Sequence, residues 1–167
     1  QLLDMKVTDV KRVAIIHPDG SRVTIEKVAS TDSSFRLANL PAGQQATSDY
    51  EVNEIARTIS ALTLEDVVKS NDALFAKGKV RTAAFTSFDG LRVTLEIVEK
   101  DGDNWLRVNA DTVSDGAANI MEEVTKRADD IRTKHSGWAY RVPAYELAPF
   151  KKRNADLLKK PEKPSGP

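Results

Sequence analysis

His17 and His135 are the two histidines of the chain, and histidine is the side chain best suited to acid–base work near neutral pH. His17 ends an alternating apolar stretch, just before Pro18-Asp19-Gly20, and Ser87 fills the matching place seventy residues later. His135 falls in what reads as the last turn of a helix, where a cation suits the negative end of the backbone dipole. No serine and carboxylate fall into a convincing triad order around either ring, so no catalytic residue is assigned. Asp19 and Asp89 recur at equivalent places and could be read as the paired carboxylates of glycoside cleavage. Asp before Gly is also what a tight turn selects, and the turn reading is preferred. Asp101-Gly102-Asp103 lacks the spaced oxygen ligands and closing Glu of a calcium loop, and Asp129-Asp130 falls on a solvated helix face. No metal ligand is therefore assigned. Gly20, Gly43, Gly78 and Gly90 stand alone, which leaves no glycine-rich phosphate loop, and no cofactor is expected.

Binding chemistry has a better candidate. Trp138, Tyr140 and Tyr145 form the densest aromatic group in the chain. Buried, they would pack beneath a final helix; exposed, they would anchor a peptide or protein partner. Lys151-Lys152-Arg153, Lys159-Lys160 and Lys163 form a basic terminal stretch, read as a solvated face or a weak contact with anionic headgroups. Arg22 and Arg92, with Glu26 and Glu96, fall outward in step, as cross-strand ion pairs on a wet sheet face would.

Composition bounds these readings. With 167 residues, 40% hydrophobic and 30% charged, the chain is long enough for one domain or two small halves sharing a core. Lys+Arg and Asp+Glu balance at 25 each, so no net field draws it to nucleic acid, and no nucleic-acid partner is expected. The absence of cysteine removes disulfides, thiol nucleophiles and cysteine-bound zinc together. No apolar run reaches the ~20 residues of a membrane-spanning helix. The chain opens at Gln1 rather than Met, which suggests a processed or trimmed piece.

The elements that must position these residues are written twice. Val10, Ala14, Asp19-Gly20, Arg22-Val23-Thr24, Glu26 and Val28 recur as Val80, Ala84, Asp89-Gly90, Arg92-Val93-Thr94, Glu96 and Val98, at a constant spacing of seventy. Ile25 against Leu95 and Phe35 against Trp105 keep the apolar character. The pattern predicts an α+β fold: an internal duplication of an antiparallel β-meander plus helix unit, with an extra C-terminal helix. The units are residues 1–79 and 80–160, with 161–167 a flexible tail. In the first, strands at Val10 to His17, Arg22 to Val28 and Phe35 to Leu37 precede a helix near 48–61. That helix opens on the capping box Ser48-x-x-Glu51 and carries Val52, Ile55, Ala56, Ile59 and Leu62 on one stripe. Leu64 to Val68 is expected to close the unit as a strand, and Asn71 to Phe75 to make a helical turn ended by Gly78. In the second, strands at Val80 to Phe88, Leu91 to Val98 and Trp105 to Val108 precede a longer helix. Ser114 or Asp115 caps it, with Ala117, Ile120, Met121, Val124, Ala128 and Ile131 inward. Trp138 to Val142 alternates like a strand, and after Pro143 one amphipathic helix is expected to about Lys160, with Leu147, Phe150 and Leu157 or Leu158 inward.

Three segments together resemble a bacterial family catalogued as domain of unknown function forty-three-forty. They are Leu2-Leu3-Asp4 with Val10-Lys11-Arg12-Val13 and Pro18-Asp19-Gly20, then Phe88-Asp89-Gly90-Leu91-Arg92-Val93-Thr94, and last Gly137-Trp138-Ala139-Tyr140 with Pro143 and Tyr145 before a Lys/Arg-rich end. Leu64-Glu65-Asp66-Val67 fits the same pattern. The resemblance implies no known reaction. It implies a periplasmic module anchored to the inner membrane through a segment absent from this chain, often encoded beside auxiliary subunits of gliding-type ABC transporters. The expected function is therefore a non-enzymatic accessory or scaffold module of a cell-envelope complex with a protein partner. The alternatives are a small-ligand or peptide-binding receptor module and, behind it, an envelope hydrolase.

Overall fold

Alternation makes the strands. In Val10–Ile16 (β1) the side chains of Val13 and Ile15 are buried while Ala14 and Ile16 are half-buried, and in Arg22–Glu26 (β2) Val23 and Ile25 point inward. The structure, a computed structural model, describes residues 2–3, 5–38, 43, 49–76, 78–114 and 121–158. The elements that follow are β3 (Arg36–Leu37), α1 (Asp49–Ala61), β4 (Asp66–Lys69), β5 (Arg81–Ser87), β6 (Leu91–Lys100), β7 (Asp103–Thr112), α2 (Glu122–His135), β8 (Trp138–Val142), α3 (Ala144–Leu147) and α4 (Asn154–Leu157). The eight strands form one open sheet in the order β3-β2-β1-β5-β6-β7-β8-β4, antiparallel at every pairing.

The α+β character is as expected, and the two hairpins at the centre share one register. Val13 faces Ile25 across β1 and β2, and seventy residues on Ala83 faces Leu95 across β5 and β6. Both turns close alike: the Gly20 N–H donates to the His17 carbonyl at 2.9 Å, and the Gly90 N–H to the Ser87 carbonyl at 3.1 Å. Gly20 and Gly90 take φ of 87° and 95°, where any Cβ would be strained. The match lapses at the third strand. Ile25 faces Leu37, whereas Leu95 faces Val108, one residue beyond the equivalent of Leu37. A one-residue slip turns side chains to the other face. Phe35 accordingly sits in the main core, while Trp105 packs on the opposite side of the sheet.

The helices cover one face. α1 buries Val52, Ile55, Ala56 and Ile59, and α2 buries Val124 and Ala128. With Leu2, Leu3 and Met5 from the N-terminal segment and the inward strand residues, they make one core. The other face is wet and laced with ion pairs between residues directly opposite one another: Arg12 with Glu26, Arg92 with Asp111, and Arg107 with Glu96. The cross-strand pairing expected there exists, with different partners. A second small cluster of Phe75, Val98 and Ala139 lies on this face, where the connection after β4 folds back.

Three expectations are corrected. Of the expected strand Leu64 to Val68, the part from Asp66 does form, but β4 crosses the molecule to pair with β8 at the far edge instead of closing its own half. α2 begins at Glu122 after an extended Met121, which is exposed and not inward. Of its expected start, Ser114 lies outside the helix, while Asp115, Ala117 and Ile120 lie outside the described residues. The single C-terminal helix is three short turns, α3, a 3-10 turn at Ala148–Lys151, and α4, with extended backbone at Lys152 and Arg153. Pro149 lacks the N–H that a continuous helix would use, so the run breaks. Its apolar face survives the break: Leu147, Phe150 and Leu157 are all buried. Ser48 of the expected capping box and the tail from 159 onward lie outside the described residues.

Candidate functional site

Trp138 and Tyr140 share one face of β8, but they do different work. Tyr140 is 7% exposed, and its hydroxyl lies 2.7 Å from His135 Nδ1, with the two rings edge to face. Trp138 stands at the start of the strand, where the outermost strand β4 gives it little cover, directly opposite Lys69. Leu64 just before β4, Val67 and Val68 on it and Trp138 on the neighbouring β8 are between 37% and 49% exposed; Val67 shares a face of the sheet with Trp138, and Val68 turns to the other. Every residue of β4 is exposed. An edge strand of this kind presents unpaired backbone groups, and charge usually guards it. Here the Val67 N–H donates to the Asp66 carboxylate at 2.8 Å, so Asp66 covers a backbone donor with its own side chain.

Tyr145 is not part of this edge. It is 76% exposed and lines a shallow groove of about 280 Å³ with Tyr50, Glu51, Glu54, Ala148, Pro149 and Lys152. The fold thus separates the three aromatic residues into a core member, an edge member and a groove member.

Both histidines are buried. Arg81 Nε donates to His17 Nδ1 at 3.0 Å, and His17 Nε2 lies 3.0 Å from the Lys152 carbonyl. A guanidinium can only donate, so Nδ1 carries the lone pair and the proton sits on Nε2, which donates to the carbonyl. Burial first, then the Arg81 charge, holds His17 below the ordinary 6.5. Burial and the neighbouring Lys134 lower His135 in the same direction. Beside His17, the Asp19 carboxylate accepts the Ser21 hydroxyl and N–H, and Arg153 Nη1 donates to it at 2.8 Å; these bonds hold its carboxyl far below the usual range. The Asn154 amide donates to the Arg22 carbonyl, so the C-terminal segment is tied to the first turn. Asp89 accepts the Ser87 hydroxyl and pairs with Arg127 at 3.7 Å. Asp19 and Asp89 therefore both serve turns.

Asp101, at φ 53°, and Gly102 make the bend between β6 and β7. Asp129 pairs with Arg132 on α2, and Asp130 is exposed. Among the described residues, no helix is long and apolar enough to cross a membrane. Lys151 reaches Glu99 at 4.0 Å, so the basic terminal stretch is partly spent on an internal pair.

Residue types and spacing did not single out the exposed valines of β4. The signal was present: Val67-Val68 is the apolar part of a run too short and too charged to be a core strand. No family model, curated protein or solved structure matches the chain.

Proposed function

We propose that this chain is a non-enzymatic docking module that takes an extended segment of a partner protein onto the β4 edge. The observation that carries the reading is β4 itself, exposed at every residue and last in the sheet, with Val67 and the neighbouring Trp138 exposed on one face and Val68 on the other. An added strand gains main-chain hydrogen bonds along such an edge, with alternate side chains giving specificity. Trp138 supplies the rigid aromatic anchor such contacts favour. Asp66 and Lys69 keep the edge from pairing indiscriminately, and an incoming strand displaces the Asp66 carboxylate from the Val67 N–H.

The setting, an accessory subunit of an ABC-transporter-associated complex in a bacterial envelope, anchored on the periplasmic side, rests on the family resemblance of the sequence. The origin we propose is the copying of one sheet-and-helix piece. Two registers support it: the matched hairpins, and the β1–β5 pairing, in which Ala14 faces Ala84, its own counterpart seventy residues on.

Affinity capture from a bacterial envelope extract, repeated with the purified captured protein, tests the function. Binding is expected to slow amide hydrogen exchange over residues 66–69 and to be lost in Val67→Pro, which removes an N–H that the sheet does not use. Capture of nothing, or binding indifferent to Val67→Pro and Trp138→Ala, would overturn the reading.

A further inference from the structure

Lys27 continues the inward alternation of Val23 and Ile25, and it is 6% exposed. Seventy residues later the same inward position is Ile97, an ordinary core residue. The first hairpin thus turns a cation inward where the matching hairpin carries an aliphatic side chain. Its ammonium sits over the Phe35 ring, 4.7 Å from the centroid. Among the described residues no carboxylate pairs with it and no oxygen accepts a hydrogen bond from it. A ring face attracts the charge but leaves donors of the ammonium unused.

Lys27 also lines a half-open pocket of about 270 Å³, set between the loop after β2, Val7 and Thr8, and α1. The hydroxyl-bearing residues Thr8, Ser30, Thr31 and Ser33 line it, as does Arg57, whose guanidinium donates to Glu54 at 2.8 Å and lies over the Tyr50 ring. Asp32 also lines the pocket, and one of its carboxylate oxygens, Oδ2, accepts both the Val28 and the Ala29 N–H at 3.2 and 3.0 Å. The wall is held in place from beneath. The Asn53 side-chain oxygen accepts the buried Phe35 N–H at 2.9 Å, fixing the loop to α1. The volume lies just under the ~300 Å³ at which clefts for larger ligands begin, so the pocket suits a small ligand.

We propose that this pocket binds a tetrahedral oxyanion of the phosphate class, with Lys27 as its principal charge. An ammonium without a protein acceptor among the described residues, beside hydroxyl-bearing residues and a guanidinium, suits a ligand that presents several acceptor oxygens, more than the two of a carboxylate. Lysine and arginine are the side chains that meet phosphate, as a point charge and as a planar fork.

Isothermal titration with inorganic phosphate, and in parallel with glycerol 1-phosphate, at constant ionic strength in chloride, tests the site. One saturable site per chain is expected, weakened at least tenfold by Lys27→Met, which keeps an unbranched stem and removes the charge, and severalfold by Arg57→Gln. Tighter binding of the ester assigns a phosphorylated small molecule; tighter binding of phosphate assigns the free ion. Binding of neither, or binding unchanged in Lys27→Met, overturns the proposal. Should Lys27→Met fail to fold, amide chemical shifts of the unaltered protein decide. Phosphate-dependent shifts confined to residues 30–33 and 53 support the site. Shifts centred on the basic residues 151–153, or none at all, sink it.

Discussion

Burial fixes the protonation of His17. Its ring is clamped between a guanidinium that can only donate and a carbonyl that can only accept, and a second proton would break the first contact. The fold therefore depresses the His17 pKa, and that of His135, while the unfolded chain keeps the ordinary 6.5. As pH falls through 6.5 the unfolded state takes up protons that the folded state refuses, so stability declines on acidification and is fully present above that value. Urea midpoints measured from pH 7.5 to 5.5 are expected to fall, above the range where Asp19 protonates in the unfolded chain. The double variant His17→Gln with His135→Gln is expected to flatten that slope; a midpoint that rose on acidification would contradict the clamp. Little of this was legible from spacing. That His17 is structural follows from the turn beside it, but Arg81 and Lys152, 64 and 135 residues away, are brought to it by tertiary structure alone. Lys27 is the opposite case. The alternation already placed it inward, and its charge drew no attention because lysine is expected outside.

Elements were legible in proportion to how local their causes are. Asp19-Gly20 and Asp89-Gly90 select tight turns by chemistry contained in a few residues, and both hairpins form with one register. The crossing of β4 to β8 and the slip at β3 depend on partners far along the chain, which neither periodicity nor repeat spacing encodes. The C-terminal segment shows the two levels at once: Pro149 breaks the helix, yet the apolar residues still reach the core. Phe150 is fully buried and meets Phe85 edge to face, with ring centroids 5.8 Å apart and planes at 65°. Phe150→Ala is expected to cost about 3–5 kcal/mol by chemical denaturation, as deletion of a buried aromatic ring does. A loss near zero would mean that the segment rests on the sheet without belonging to its core.

At the scale of the molecule, the two halves of the sequence are interleaved. β1 and β5 pair at the centre of the sheet, and β4, from the first half, forms the edge beyond β8 of the second. The return traffic comes from the C-terminal segment. Arg153 and Asn154 bind the first turn, and Glu146 accepts both the Thr63 N–H at 2.9 Å and its hydroxyl at 2.5 Å. Each half therefore covers apolar surface that the other cannot bury alone, and every route of separation breaks the central pairing. Unfolding is expected to be a single cooperative transition. Trp105 and Trp138 both lie in the second half, so their fluorescence reports that half, whereas far-ultraviolet circular dichroism reports the whole sheet. In urea the two signals are expected to trace one curve, and fragments 1–79 and 80–160 are expected to remain unfolded when expressed separately. A fluorescence transition displaced from the dichroism transition, or a fragment that folds alone, would show that the halves keep independent cores and that the shared sheet is only a docking of two finished units.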